Sequence, residues 1–106
     1  MGSLTYDVVF KVKFDDRALA HLQLVIATKM RRGESFNFSW IKDPESGSGR
    51  TTIWMHPAIP LVYDFEGSRH PQINRAWIEG LMATANSTTG LVLVPEPSVP
   101  EEVVAS

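Results

Sequence analysis

Any chemistry in this chain has to start from three histidines, His21, His56 and His70. They fall on a helix, at a strand end before proline and in a loop before proline. No two are separated by the three or four residues that put a pair of imidazoles on one helix face for a metal. Cysteine is absent, which removes disulfides, thiolate zinc sites, iron–sulfur ligation and cysteine nucleophiles together. No G-x-S-x-G elbow occurs, and Glu45-Ser46-Gly47-Ser48-Gly49 only approximates one. A Ser-His-Asp set assembles in space rather than in sequence and stays open. Asp15-Asp16 reads as a helix cap rather than a cation site. Ser46-Gly47-Ser48-Gly49-Arg50 offers backbone N–H groups and a guanidinium to an anion. A Walker A loop, however, needs G-x-x-x-x-G-K-[ST] opening into a helix. Here the following residues alternate like a strand, so a hairpin connection fits better. No metal and no cofactor is expected.

Basic and aromatic residues are the other source of binding chemistry. The six arginines are Arg17, Arg31, Arg32, Arg50, Arg69 and Arg75, and the three tryptophans are Trp40, Trp54 and Trp77. Aromatics among cations can stack on single-stranded nucleic acid, but aromatics at alternating strand positions more often form core. Trp40 and Trp77 are expected inside. Trp54 lies between Ile53 and Met55, so it takes the open sheet face if those two are buried.

The elements that position these residues can be read from periodicity. Leu4 to Phe14 alternates as one strand, with Leu4, Tyr6, Val8, Phe10, Val12 and Phe14 on one side. A helix follows from about Arg17 to Arg32, capped by Asp15 and Asp16, with Leu19, Leu22, Ile26 and Met30 as its apolar stripe. Arg17, His21, Leu24, Thr28 and Arg31 then share the opposite side. Lys29, Arg31 and Arg32 suit the negative end of the helix dipole, and Gly33 is a stop. Phe36 to Trp40, Arg50 to His56 and Leu61 to Phe65 read as an antiparallel meander. Lys42 to Gly49 forms a flexible polar connection within it. Asn74 caps a second helix reaching about Ala85, and Leu91 to Val94 is a last short strand. The expected fold is α+β, in the order β-α-β-β-β-α-β: a five-stranded, mostly antiparallel sheet with both helices on one face.

Composition allows one domain. The chain has 106 residues, 43% hydrophobic and 21% charged, ordinary globular usage. Residues 1–94 are expected to form the domain, and 95–106 a disordered acidic, proline-rich tail. Net charge is −2; residues 1–94 carry ten basic and nine acidic side chains, short of the basic bias usual in nucleic-acid-binding domains. The first residues lack a basic segment followed by an apolar run, and no apolar stretch approaches the ~20 residues of a membrane helix. A cytoplasmic protein without membrane association is the expectation.

Several strings recur together here: Asp15-Asp16-Arg17-Ala18-Leu19-Ala20-His21-Leu22, Lys29-Met30-Arg31-Arg32-Gly33-Glu34-Ser35-Phe36 and Phe38-Ser39-Trp40. Gly47-Ser48-Gly49-Arg50, Ile53-Trp54-Met55-His56-Pro57, Asn74-Arg75-Ala76-Trp77 and Leu93-Val94-Pro95-Glu96-Pro97 continue the pattern. In these the chain resembles a family of small actinobacterial proteins commonly labelled "ATP-dependent DNA ligase". The resemblance implies a link to DNA repair but brings no catalytic residues. Such ligases attach AMP to the lysine of a K-x-D-G motif. The nearest string, Lys13-Phe14-Asp15-Asp16, has Asp in place of Gly.

The leading expectation is a small non-catalytic interaction module that meets a protein partner, or a second copy of itself, through the open sheet face or the first helix. Its contact residues would be Arg17, His21, Leu24, Arg31, Arg32, Arg50, Trp54 and Arg69. An accessory DNA-binding factor in end joining or repair, with the arginines on phosphates, is the alternative. A small enzyme using His56 or His70 is a third.

Overall fold

The computed structural model describes residues 1–41 and 49–98. Six strands and two helices occur among them: β1 (Gly2–Tyr6), β2 (Phe10–Phe14), α1 (Asp16–Arg31), β3 (Phe36–Ile41), β4 (Arg50–Met55), β5 (Leu61–Asp64), α2 (Arg75–Ala85) and β6 (Leu91–Val92). The α+β class and both helices agree with the sequence. The single five-stranded sheet does not: the strands form two three-stranded sheets, ordered β2-β1-β5 and β4-β3-β6. Most of the connection expected at Lys42 to Gly49 lies outside the described residues, and with it Ser46, Gly47 and Ser48 of the string weighed as an anion site; Arg50 opens β4.

Two local choices separate one sheet into two. The first is a turn inside the N-terminal alternation. Asp7, Val8 and Val9 reverse the chain, so that Tyr6 faces Phe10 and Leu4 faces Val12. A loop of odd length keeps the even-numbered residues on one face, so the period-2 pattern runs through the turn unchanged. Val8 has φ 71° and Asp7 φ 53°, a region where a β-branched residue is a genuine outlier. The second choice follows β4. Pro57 and Pro60 bracket a turn that carries the chain away from β4, and β5 pairs antiparallel with β1, Leu4 opposite Tyr63 and Tyr6 opposite Leu61. The Pro60 carbonyl accepts the Asp7 N–H at 3.0 Å, tying the two turns together. The meander thus stops at β3–β4. In its place β6 joins the other side of β3 in parallel, Phe38 opposite Leu91.

The apolar faces of both sheets and both helices close over one core. Phe14 of β2 lies 6.1 Å from Phe38 and 5.8 Å from Trp40 of β3, ring centre to ring centre, which joins the sheets through aromatic contacts. The Tyr6 hydroxyl donates to the Trp54 carbonyl at 2.5 Å, a polar link between β1 and β4. Burial pushes the Tyr63 hydroxyl up to about 12. Helix α1 packs on β1, α2 packs on β3 and β6, and the helices touch each other. The helices therefore do not share one sheet face.

That arrangement buries α1 on two sides. Leu19, Leu22 and Ile26 meet the sheets, as the stripe predicts. His21, Val25 and Lys29, at i, i+4 and i+8, form a second buried row, next to the first at ~100° per residue. The side chain of Asp15 caps α1 on the Ala18 N–H at 2.7 Å, and Asn74 caps α2 on Ala76 and Trp77.

Candidate functional site

Asp16, in the first turn of α1, pins a loop beside the helix. Its carboxylate accepts the Gly67 N–H at 2.8 Å and the Glu66 N–H at 3.0 Å. These two backbone donors, Gly67 first, hold the Asp16 carboxyl below its usual value. The N-terminal ammonium also pairs with Glu66. The next residue, Arg17, donates to the Gln72 carbonyl at 2.6 Å and so fastens the loop's far end. Between these ties the loop from Phe65 to Ile73 stands off α1 and leaves a groove of about 370 Å³.

Ala20, Leu24, Phe65, Pro71 and Ile73 make the groove apolar, with Gln23, Ser68, Arg69 and His70 as its polar members. Leu24 is 45% exposed and Ile73 40% exposed. Arg69 and His70 are exposed. The site is concave, largely apolar and fitted with a few polar groups, which is the usual makeup of a small-ligand or side-chain pocket.

Of the eight contact residues expected from sequence, Leu24 and Arg69 line this groove together. Arg31 and Arg32 are exposed at the C-terminal end of α1, with Arg31 about 10 Å along the helix axis from Leu24 at 1.5 Å per residue. Arg50 and Trp54 belong to the outer face of β4, on the other sheet. Arg17 and His21 are corrections. The Arg17 guanidinium grips Glu96 through two bonds, Nε to Oε1 at 2.8 Å and Nη2 to Oε2 at 2.5 Å, a bidentate geometry with both groups committed. His21 is fully buried. Its Nδ1 lies 2.7 Å from the Arg17 carbonyl and its Nε2 accepts the Asn74 N–H at 2.8 Å. A backbone N–H can only donate, so the proton sits on Nδ1. The ring centre is 4.5 Å from that of Trp77. His21 thus braces α1 against the cap of α2 and offers nothing to a partner.

Three residues that carry much of this architecture have weak sequence signals. Lys29 is 5% exposed; its Nζ meets Glu34 at 2.6 Å and the Asn86 Oδ1 at 2.8 Å. The hydrogen bond from Lys29 holds the Glu34 carboxyl below its usual value. Asn74, beyond its capping role, donates Nδ2 to Glu96 at 2.9 Å and to the Pro97 carbonyl at 3.0 Å. Glu96 and Pro97, expected in a disordered tail, are therefore bound to the body. For Lys29 the sequence carries a signal, four residues after Val25 and eight after His21; for Asn74 it shows the cap but not the bonds to Glu96 and Pro97.

The Glu96 contact predicts an acid response. The Arg17 hydrogen bond, then that from Asn74, lowers the Glu96 carboxyl from 4.5 to about 2. A carboxyl depressed on folding stabilises the folded state above its unfolded value and loses that contribution as pH falls through its folded value. The window for Glu96 runs from 4.5 down to about 2. Glu96→Gln should lower the thermal midpoint at pH 7 and flatten its fall across that window. Parallel melting curves of wild type and variant that keep a constant separation from pH 7 to pH 2 would contradict the assignment.

Among the described residues, no helix is long and apolar enough to cross a membrane, and no group of three or more His, Asp or Glu side chains is arranged to hold a metal ion. Comparison with curated proteins and with solved structures returns no match. A family described as a domain of unknown function, DUF7882, matches residues 1–96. The matched span takes in β1 through β6 and ends at Glu96, the residue clasped by Arg17. The chain belongs to the DUF7882 family.

Proposed function

We propose that the domain is a non-catalytic binding module that docks a partner protein in the groove between α1 and the Phe65–Ile73 loop. The observation that carries this reading is Leu24: a leucine 45% exposed in a concave apolar site, with Arg69 lining the same site. A single exposed leucine on a convex surface would mean little. The groove fits an apolar side chain. An acidic residue near that side chain in the partner would meet Arg69, so an apolar anchor followed by Asp or Glu is the motif it selects. Selection from a displayed random-peptide library should enrich that motif. Leu24→Glu should weaken the selected peptides by about 2 kcal/mol, roughly thirtyfold. The fold should stay intact, since exposed substitutions usually lie within about ±0.5 kcal/mol. Peptides that bind wild type and Leu24→Glu alike would remove the groove from consideration.

A DNA accessory role draws on a different observation, the exposure of Arg31, Arg32, Arg50 and Arg69. It is the role that the resemblance to ligase-labelled proteins suggests. Titration with duplex DNA at several salt concentrations separates the two readings. Under the DNA reading, affinity falls steeply with salt, and Arg31→Ala reduces the slope by about one.

A further inference from the structure

A second cleft, of about 440 Å³, lies between the outer face of β3–β4 and the turn that follows α2. Its chemistry differs from that of the groove. Trp54 lines it, half out of water at 52% exposure, whereas Trp40 and Trp77 are 8% and 5% exposed. Asn37 is the direct cross-strand partner of Trp54 and lines the same cleft. Glu34, Lys29 and Thr88 are among its other lining residues. An indole left on a sheet face beside planar amide and carboxylate groups is an arrangement with a use: the ring offers an apolar plane, and its neighbours offer hydrogen bonds.

The local charge narrows the ligand. Lys29 is closed off by the Glu34 carboxylate at 2.6 Å and by Asn86 at 2.8 Å, so its charge is already matched. The C-terminus of α2, at Ala85 with Asn86 as cap, also borders the cleft. Helix C-termini carry partial negative charge. An anion gains nothing here, and the Lys29 ammonium leaves no uncompensated carboxylate for a cation. Arg50 shares the outer face of β4 with Trp54 but stands four residues away, about 13 Å along the strand, too far to serve the same small ligand. What remains is a neutral molecule with one apolar face and a rim of hydroxyl groups.

We propose that this cleft binds a neutral carbohydrate, with a pyranose ring on the Trp54 indole and its hydroxyls bonded to Asn37, Glu34 and Thr88. The C–H bonds on one face of a pyranose meet the electron-rich indole plane, a weak contact that fixes orientation. The amide of Asn37 donates and accepts, the Glu34 carboxylate accepts, and Lys29 holds that carboxylate in place. The site is separate from the α1 groove and does not depend on it.

The test is two-dimensional 15N–1H NMR of the whole chain, titrated with the methyl glycosides of glucose, galactose, mannose and N-acetylglucosamine, and with an oligothymidylate. At least one glycoside is expected to shift the Trp54 indole N–H and the Asn37 side-chain amide saturably. Trp54→Ala and Asn37→Ala should each weaken that glycoside roughly tenfold, the scale of lost stacking or hydrogen bonding. Trp54→Phe, which keeps a smaller ring, should fall between. It serves in place of Trp54→Ala if the alanine variant loses its dispersed spectrum. Absence of saturable shifts with every glycoside overturns the proposal, as do shifts unchanged in the variants. Shifts produced by the oligothymidylate alone also overturn it and assign the face to single-stranded nucleic acid.

Discussion

His21→Ala is expected to destabilise the protein by about 3 kcal/mol and to lower its thermal midpoint by roughly 15 °C. The ring is fully buried, bonded to Arg17 and Asn74 and stacked on Trp77. Alanine leaves a cavity between α1 and α2 and strands the Asn74 N–H without a partner. The two causes can be told apart. His21→Phe keeps the volume and the contact with Trp77 but cannot accept the Asn74 N–H, so it should recover part of the loss and no more. A phenylalanine variant as stable as wild type would show that the hydrogen bonds contribute nothing. Differential scanning calorimetry of the three proteins decides it.

Gly90→Ala comes next in expected effect. Gly90 has φ 87°, and a Cβ there would lie 2.4 Å from the Asn37 carbonyl oxygen. The obstacle is backbone, so no side-chain rotation relieves it. The next residue, Leu91, begins the parallel pairing with β3. Strain at positive φ costs about 1–2 kcal/mol and overpacking about 1–3 kcal/mol, so a loss near 3 kcal/mol is expected in urea unfolding. Gly33 is the internal comparison. Its φ is 73°, but nothing lies within 4 Å of the position its Cβ would take. Gly33→Ala should therefore cost only about 1–2 kcal/mol, the strain alone. Equal losses at the two glycines would mean that the close approach to Asn37 does not matter.

Local features of the fold were legible because they depend on neighbours in sequence. Both helix caps, Asp15 and Asn74, follow from side chains that reach their own first turn. The outward placement of Trp54 follows from Met55 being buried. What escaped depends on partners far along the chain. The turn at Asp7–Val9 carries no glycine and preserves the alternation on both sides, so nothing in the pattern marks it. The departure of β5 to β1 is a choice between two sheet edges, and the strand sequence Leu61–Asp64 is compatible with either. A single apolar stripe suffices to explain α1 from sequence, and it places His21 on the outer face. The second buried row exists only because α2 leans on that side. Glu96 follows a proline and precedes another, a composition that reads as tail, and only the bidentate match with Arg17 shows otherwise. Of the groove, Leu24 and Arg69 were visible as types, while their adjacency was set by Asp16 holding Glu66 and Gly67.

The two sheets are interleaved along the chain, and this governs the order in which the protein can be made. Each sheet begins as a local hairpin, β1–β2 and β3–β4, and each is completed by one strand from later in the chain, β5 and β6 respectively. Hairpins close in microseconds. Yet a nascent chain emerging from the ribosome has no third strand for the first hairpin until Asp64 is out, and none for the second until Val92. Until then the outer edges of β1 and β3, which end up in the middle of their sheets, are open. Neither hairpin gains independent stability from two strands alone. The second sheet therefore cannot be complete until Val92 has been added, and a chain stopped short of β6 presents the edge of β3 to whatever strand it meets.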